Sequence, residues 1–366
     1  GDEGIKGIFS IFNCKFLFYY MSDRSYAIST SEDALTGYDL TPHIDTILTA
    51  LSQKLSLPEG LDESAIAWRS KYSTGKLGAF NLKTELPDGT AVVVKVQGPQ
   101  PGVAEEEMMR LFTQQNKSTK IRTPEILEFL RRSSLQDYDS IVMRDEEAAG
   151  AVDVIDHKSL TTAKEVDEFF DVIQEYRRHS LNKPWLEKPE EGAGYLEGFA
   201  TWVKTRNPEA PAFTTAESEI NEKVVALLDT RFRSKEPVFQ HTHLSTHDIK
   251  KSPDGTYVLF SNLMWKYRWP SYDLTYAYSW YLLNIASFSE VEIKDQMTLW
   301  QGKIKAVAEE LGEADDVEFA FLERTLAQVN FDVYFVPYEH REKMLSILRP
   351  FLQEQYERCK KLKTEN

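Results

Sequence analysis

Within nine residues, His241-Thr242-His243-Leu244-Ser245-Thr246-His247-Asp248-Ile249 collects three of the chain's seven histidines and one carboxylate. These residue types support two kinds of chemistry. Imidazole takes and returns protons near neutral pH and so serves as a general base. Imidazole and carboxylate together also bind zinc and activate water for hydrolysis. His241 and His243 alternate, so on an extended segment they share a face, with His247 a turn away and Asp248 as a further ligand. The turn Ser252-Pro253-Asp254-Gly255 follows, then the β-rich run Tyr257-Val258-Leu259-Phe260 and the polar pair Ser261-Asn262. Coming after the extended step Pro237-Val238-Phe239, the stretch reads as a loop held between short strands, where chemistry commonly sits.

A second reactive position lies in Ala91-Val92-Val93-Val94-Lys95-Val96. Lys95 is a lone lysine in a β-branched run, and burying its ammonium is costly unless an anion neutralises it. Downstream of Pro99 and Pro101, Ala104 to Gln115 forms a helix whose acidic first turn suits its dipole. Met108, Leu111 and Phe112 mark its buried side, and Glu107 stands one turn before Leu111 on that side. Glu107 is therefore the expected partner of Lys95, with Glu105 and Glu106 as alternatives.

Other elements must hold these groups. Thr41-Pro42 opens a helix with Thr as N-cap, and Ile44, Ile47, Leu48, Leu51 and Leu55 give it one apolar face. Ala65 to Gln97 reads as a small antiparallel sheet, with a loop from Ser73 to Phe80 containing Gly75 and Gly78, and a hairpin turn at Pro87-Asp88-Gly89-Thr90. Strands follow at Thr123 to Phe129 and Ser140 to Asp145, and a domain boundary falls within Arg144 to Gly150. Helices are predicted over 162–180, 194–205, 215–232, 273–287, 292–311 and from 316 to the end with a break at Pro337. The loop from Pro184 to Gly192 is placed to rim a substrate site.

With Trp265-Lys266-Tyr267-Arg268-Trp269-Pro270-Ser271-Tyr272-Asp273-Leu274 included, the loop resembles the aminoglycoside phosphotransferase and choline kinase family, small-molecule relatives of the protein kinases. That family's catalytic loop reads His-x-Asp-Leu-x-x-x-Asn-Ile/Val, followed by a strand ending in a metal-binding Asp and then Pro-x-Tyr-Asp-Leu. His241, Leu244, Ile249, Pro270, Tyr272, Asp273 and Leu274 keep the scaffold positions. The chemical positions differ: His243 stands at the catalytic Asp, Asp248 at the metal-binding Asn, and Ser261 at the strand-end Asp, or Asn262 if the register slips by one.

The resemblance covers roughly residues 65–285 and implies a two-lobed α+β fold, with a small antiparallel N-lobe to residue 145 and a larger helical C-lobe from 146 to 366. It implies ATP or another nucleotide as cofactor, with Lys95 at the phosphates, Gly75 and Gly78 in the covering loop, and Met143 in the strand that meets adenine. It implies Mg²⁺ held weakly by Asp248 with Ser261 or Asn262, and Asp273 bracing the loop backbone. Phosphoryl transfer needs metal-neutralised phosphates and a carboxylate that orients the acceptor. A histidine base and a neutral second ligand therefore point to a nucleotide- or phospholigand-binding protein with weak or absent small-molecule kinase activity, a pseudokinase-like member. The alternatives are an active phosphotransferase using an atypical His243/Asp248 site, and a metal-dependent hydrolase using His241, His243 and His247.

Composition bounds these readings. A chain of 366 residues with a 42% hydrophobic share and 12% aromatics is long enough for two lobes and globular in type. A formal charge of −15 disfavours nucleic acid and anionic membranes as partners while leaving room for local basic pockets; the small-molecule or phosphorylated ligand is what the resemblance implies. Cys14 and Cys359 form no metal or disulfide framework, which suits a reducing, cytoplasmic setting. The apolar stretch Ile8 to Tyr20, broken by Asn13 and Lys15, is short of the ~18–20 residues a spanning helix needs. Residues 1–20 read as an upstream segment before Met21, or as a packed N-terminal strand.

Overall fold

A computed structural model describes residues 39–57, 59–71, 76–98, 104–132, 136–181, 183–188 and 215–365. The readings at residues 1–38, at Gly75 and at the helix over 194–205 lie outside the described residues, as do residues 189–192 of the loop from Pro184 to Gly192.

Valines and alternating apolar residues build the upper sheet, because a pleated surface packs β-branched side chains well. Its strands β1 (Ile66–Lys71), β2 (Leu77–Glu85), β3 (Ala91–Gln97), β5 (Ile126–Leu130) and β6 (Asp139–Arg144) run antiparallel in the order β1-β2-β3-β6-β5. Asp88 and Gly89 make the β2–β3 turn: the Asp88 carboxylate accepts from the Thr90 N–H (2.9 Å), and Gly89 takes φ +83°. Helix α1 (Ile44–Lys54) lays Ile44, Ile47, Leu48 and Leu51 against Phe80, Leu82, Val92 and Val94, closing a core of its own. Thr41 is not its N-cap; Thr41–His43 form a 3₁₀ turn, and Asp39 accepts from the N–H groups of both Thr41 and Leu77.

The lower lobe carries the larger core. Helix α2 (Glu105–Gln115) precedes the short strand β4 (Ile121–Arg122), which joins β7 (Val152–Asp153), β9 (Ile249–Lys251) and β10 (Tyr257–Leu259) in a second sheet. Strands β8 (Val238–His241) and β11 (Trp265–Arg268) form a two-stranded ribbon. Around these pack α3 (Ala163–His179), α4 (Thr215–Arg233), α5 (Tyr272–Asn284), α6 (Glu290–Leu311), α7 (Ala314–Asn330) and α8 (Tyr338–Glu365). Residues 272–283 of α5 are all buried, as a central helix requires. Thr162/Glu165 and Ser289/Glu292 are reciprocal capping boxes that start α3 and α6. The predicted final helix is two, parted by a 3₁₀ turn at Asp332–Phe335 and by Pro337, while Pro350 lies inside α8. Among the described residues no helix is long and apolar enough to cross a membrane.

Candidate functional site

Between the two sheets lies a cleft of about 410 Å³ whose wall includes Lys95, Glu105, Met143, His243, Asp248 and Ser261. Lys95 leaves β3 toward this cleft and is nearly buried. Its ammonium pairs with the Glu105 carboxylate, the side chains being 11% and 5% exposed. Glu105 Oε2 also accepts from Gln97 Nε2 (2.9 Å), and its Oε1 accepts from the Asn262 N–H (3.1 Å). One carboxylate thus ties the upper sheet to the turn after β10. This corrects the expected pairing with Glu107, whose side chain faces Arg110 (3.9 Å) and Arg131 (3.6 Å) instead. Glu105 is the first residue of α2, and helical side chains lean toward the N-terminus, so it reaches past the helix end into the cleft.

The loop is set by its own hydrogen bonds. His241 ends β8 fully buried; its Nδ1 accepts from the His243 N–H (3.1 Å), which leaves the neutral ring's proton on Nε2 to bond the Phe260 carbonyl at 3.0 Å. Burial holds this imidazole's pKa down at about 4. The backbone then turns, so His241 and His243 do not share a strand face. His243 reaches the cleft, its Nδ1 3.8 Å from Asp248 Oδ2 and its ring 5.3 Å from that of Tyr276. His247 packs its ring on that of His157, centroids 3.6 Å apart, a neighbour no sequence signal marked. The three histidines therefore do not converge, and among the described residues no group of three His, Cys, Asp or Glu side chains is arranged to hold a metal. The hydrolase reading loses its site.

Asp248 lines the same cleft as Lys95 and has both oxygens engaged. Oδ2 accepts from the N–H and hydroxyl of Ser245 (2.9 and 2.5 Å), and Oδ1 accepts from the Ser261 hydroxyl (2.6 Å). Ser261, in the left-handed region at φ +59°, turns its side chain to Asp248 and sends Asn262 inward. The Asn262 amide donates to the Leu259 carbonyl (2.7 Å) and accepts from Trp265 Nε1 (3.2 Å), so Asn262 is a brace of the turn and not a metal ligand. The donor set does not fit Mg²⁺, which wants carboxylates and open positions in an octahedron: a single, satisfied carboxylate faces a hydroxyl.

The remaining predicted residues fall as follows. Gly78 belongs to β2, not to a loop, and its carbonyl accepts from the Gly98 N–H (2.9 Å). Met143 lines the cleft near the end of β6 and pairs with Val93. The Asp273 carboxylate does not reach the loop backbone; Tyr176 and Arg177 take it, both Arg177 contacts at 2.9 Å, and its own N–H donates to the Gln240 side chain (2.8 Å) just before His241. Lys83, Glu147 and Lys250, which the sequence reading passed over, also line the cleft.

No family model and no curated protein sequence matches the chain. Its structure is similar to that of choline kinase LicA from Streptococcus pneumoniae, at 13% identity over 88% of this chain and 100% of that one, TM-score 0.44; LicA has also been solved in complex with AMP. It is similar to an aminoglycoside phosphotransferase from Alicyclobacillus acidocaldarius, at 11% identity over 82% and 92%, TM-score 0.45. It is likewise similar to macrolide 2'-phosphotransferase MphH from Brachybacterium faecium, at 16% identity over 84% and 98%, TM-score 0.41.

Proposed function

We propose that the interlobe cleft binds a purine nucleotide or another phosphorylated ligand, in a phosphotransferase-like chain whose own small-molecule kinase activity is weak or absent. The carrying observation is the Lys95 ammonium, set by Glu105 on the wall of a cleft that Asp248 and His243 also line. A buried, oriented ammonium attracts phosphate far more strongly than a solvated one, because little solvent screens it. Turnover lacks its two main supports. A general base contributes typically ~10²–10⁴ in rate, and a histidine replaces the carboxylate expected there. The Ser261 hydroxyl stands where a second carboxylate would help to hold the metal. A net charge of −15 favours such a ligand over nucleic acid.

One observation favours the active alternative: the 3.8 Å approach of His243 Nδ1 to Asp248 Oδ2, which would steady an imidazole acting as base. Thermal-shift titration with ADP and ATP, with and without Mg²⁺ or Mn²⁺, tests the binding reading. A ligand at about 100 times its Kd stabilises the fold by about 2.7 kcal/mol. The expected result is a nucleotide-dependent shift that Lys95→Met removes and the metal barely alters. No shift at millimolar nucleotide, or one that survives Lys95→Met, overturns it. Robust Mg²⁺-dependent phosphorylation of choline or an aminoglycoside, abolished by His243→Ala, would establish the active alternative instead.

A further inference from the structure

Three charged side chains at the hinge end of the cleft have no part in that reading. Lys83 lies on β2 opposite Val93, its ammonium 2.7 Å from Glu147 Oε2 and 3.2 Å from Asp145 Oδ2. Lys250, on β9, puts its ammonium 2.9 Å from Glu147 Oε1 and against Asp153 Oδ1. One carboxylate thus holds a lysine of the upper sheet through one oxygen and a lysine of the lower sheet through the other. Glu147 belongs to the turn joining the lobes, pinned where its N–H donates to Asp145 Oδ1 (3.0 Å) and its carbonyl accepts from the Gly150 N–H (2.9 Å).

We propose that Lys83, Glu147 and Lys250 form an ionic latch that closes the hinge end of the cleft and selects against the base of a nucleotide. The inference rests on the nucleotide reading for its ligand and on the ion pairs alone for the latch. An aromatic base seeks apolar surface, and here Val93 and Met143 supply it. In the same cleft it meets two ammoniums and a carboxylate that already satisfy one another, and it has no charge with which to replace any of them. Lys83 and Glu147 are 44% and 52% exposed while Lys250 is 12% exposed, so the latch opens at its Lys83 arm; a half-exposed pair of that kind shifts an equilibrium a few-fold.

The test measures ADP affinity calorimetrically on the full chain and on Lys83→Met, Lys250→Met and Glu147→Gln, with amide hydrogen exchange of residues 145–153 and 249–251 in the ligand-free proteins. Removing either lysine is expected to tighten ADP binding by about three- to tenfold, the few-fold range of two such pairs, and to speed exchange in both segments. If the lysines serve instead to attract phosphate, both methionine variants bind ADP more weakly, and the proposal falls; unchanged affinity also overturns it. If no form of the protein binds ADP, the nucleotide reading fails and exchange decides the latch. Exchange unaltered in all three variants then refutes it, while faster exchange in each retains it.

Discussion

Truncating Glu105 to alanine should be among the most damaging single changes in this chain. Its carboxylate accepts from the Lys95 ammonium, Gln97 Nε2 (2.9 Å) and the buried Asn262 N–H (3.1 Å), with only 5% of the side chain exposed. Removing one member of a buried ion pair costs about 3–5 kcal/mol, because the other charge stays in the interior without compensation. Depriving the Asn262 N–H of its acceptor adds about 1 kcal/mol or more. The sum is a large part of the ~5–15 kcal/mol that typically separates folded from unfolded states. Glu105→Gln keeps an acceptor for these donors but leaves the ammonium uncompensated, so it should lose less than Glu105→Ala while still approaching the ~3–5 kcal/mol of a broken buried pair. Lys95→Met combined with Glu105→Leu should recover most of the loss, since apolar replacement of both partners is often close to neutral. Equilibrium urea unfolding, followed by circular dichroism and by tryptophan fluorescence, gives all three values; Trp265, stacked 5.1 Å from Phe112 of α2, reports on this junction. A cost below about 1 kcal/mol for Glu105→Ala, well short of the buried-pair range, or a double variant as weak as the sum of the singles, would refute the reasoning.

Two further changes probe the site and the core. His243→Asp together with Ser261→Asp sets three carboxylates around the loop and should make nucleotide-induced stabilisation Mg²⁺-dependent, with ATP turnover raised by about 10²-fold or more; a metal-independent shift in that variant would show that the loop cannot be refitted. Two buried groups contribute slopes of opposite sign to the pH dependence of stability between about pH 4 and 6. His241, held down at about 4 from an ordinary 6.5, adds stability that is present above 6.5 and lost as pH falls through 4. Asp332, pushed up to about 6 from 3.8 by burial despite Arg324 at 2.9 Å, adds stability that is present below 3.8 and lost as pH rises through 6. Asp332→Asn should therefore leave a profile that climbs steadily with pH across this window, and a flat profile in that variant would argue against the His241 contribution.

How far the sequence carried is best seen at Lys95 and its neighbours. A lysine amid valines announces a buried charge, because only a specific anion makes that position tolerable. Its partner was not legible: Glu105, Glu106 and Glu107 look alike in one dimension, and the choice depends on where the helix starts, which was read one residue early, at Ala104. The two-period argument that aligned His241 with His243 assumed a strand running through both, whereas β8 stops at His241. Which of Ser261 and Asn262 faces Asp248 is set by the left-handed backbone of Ser261 itself, a choice that serine does not advertise. The latch was not legible, because nothing in the sequence around Lys83, Glu147 or Lys250 joins them across the lobes. The two-lobed α+β architecture was easier, because it follows from many weak preferences that agree.

The Ser261 hydroxyl beside Asp248 changes the electrostatics of the loop. Paired carboxylates awaiting a cation repel one another whenever the cation leaves, so such a loop is under electrostatic tension in its resting state. Here that contact is an O–H donating to a carboxylate at 2.6 Å, attractive without any guest, with Ser245 completing the shell. The turn therefore holds its shape through these hydrogen bonds alone, and chelators should leave its stability unchanged.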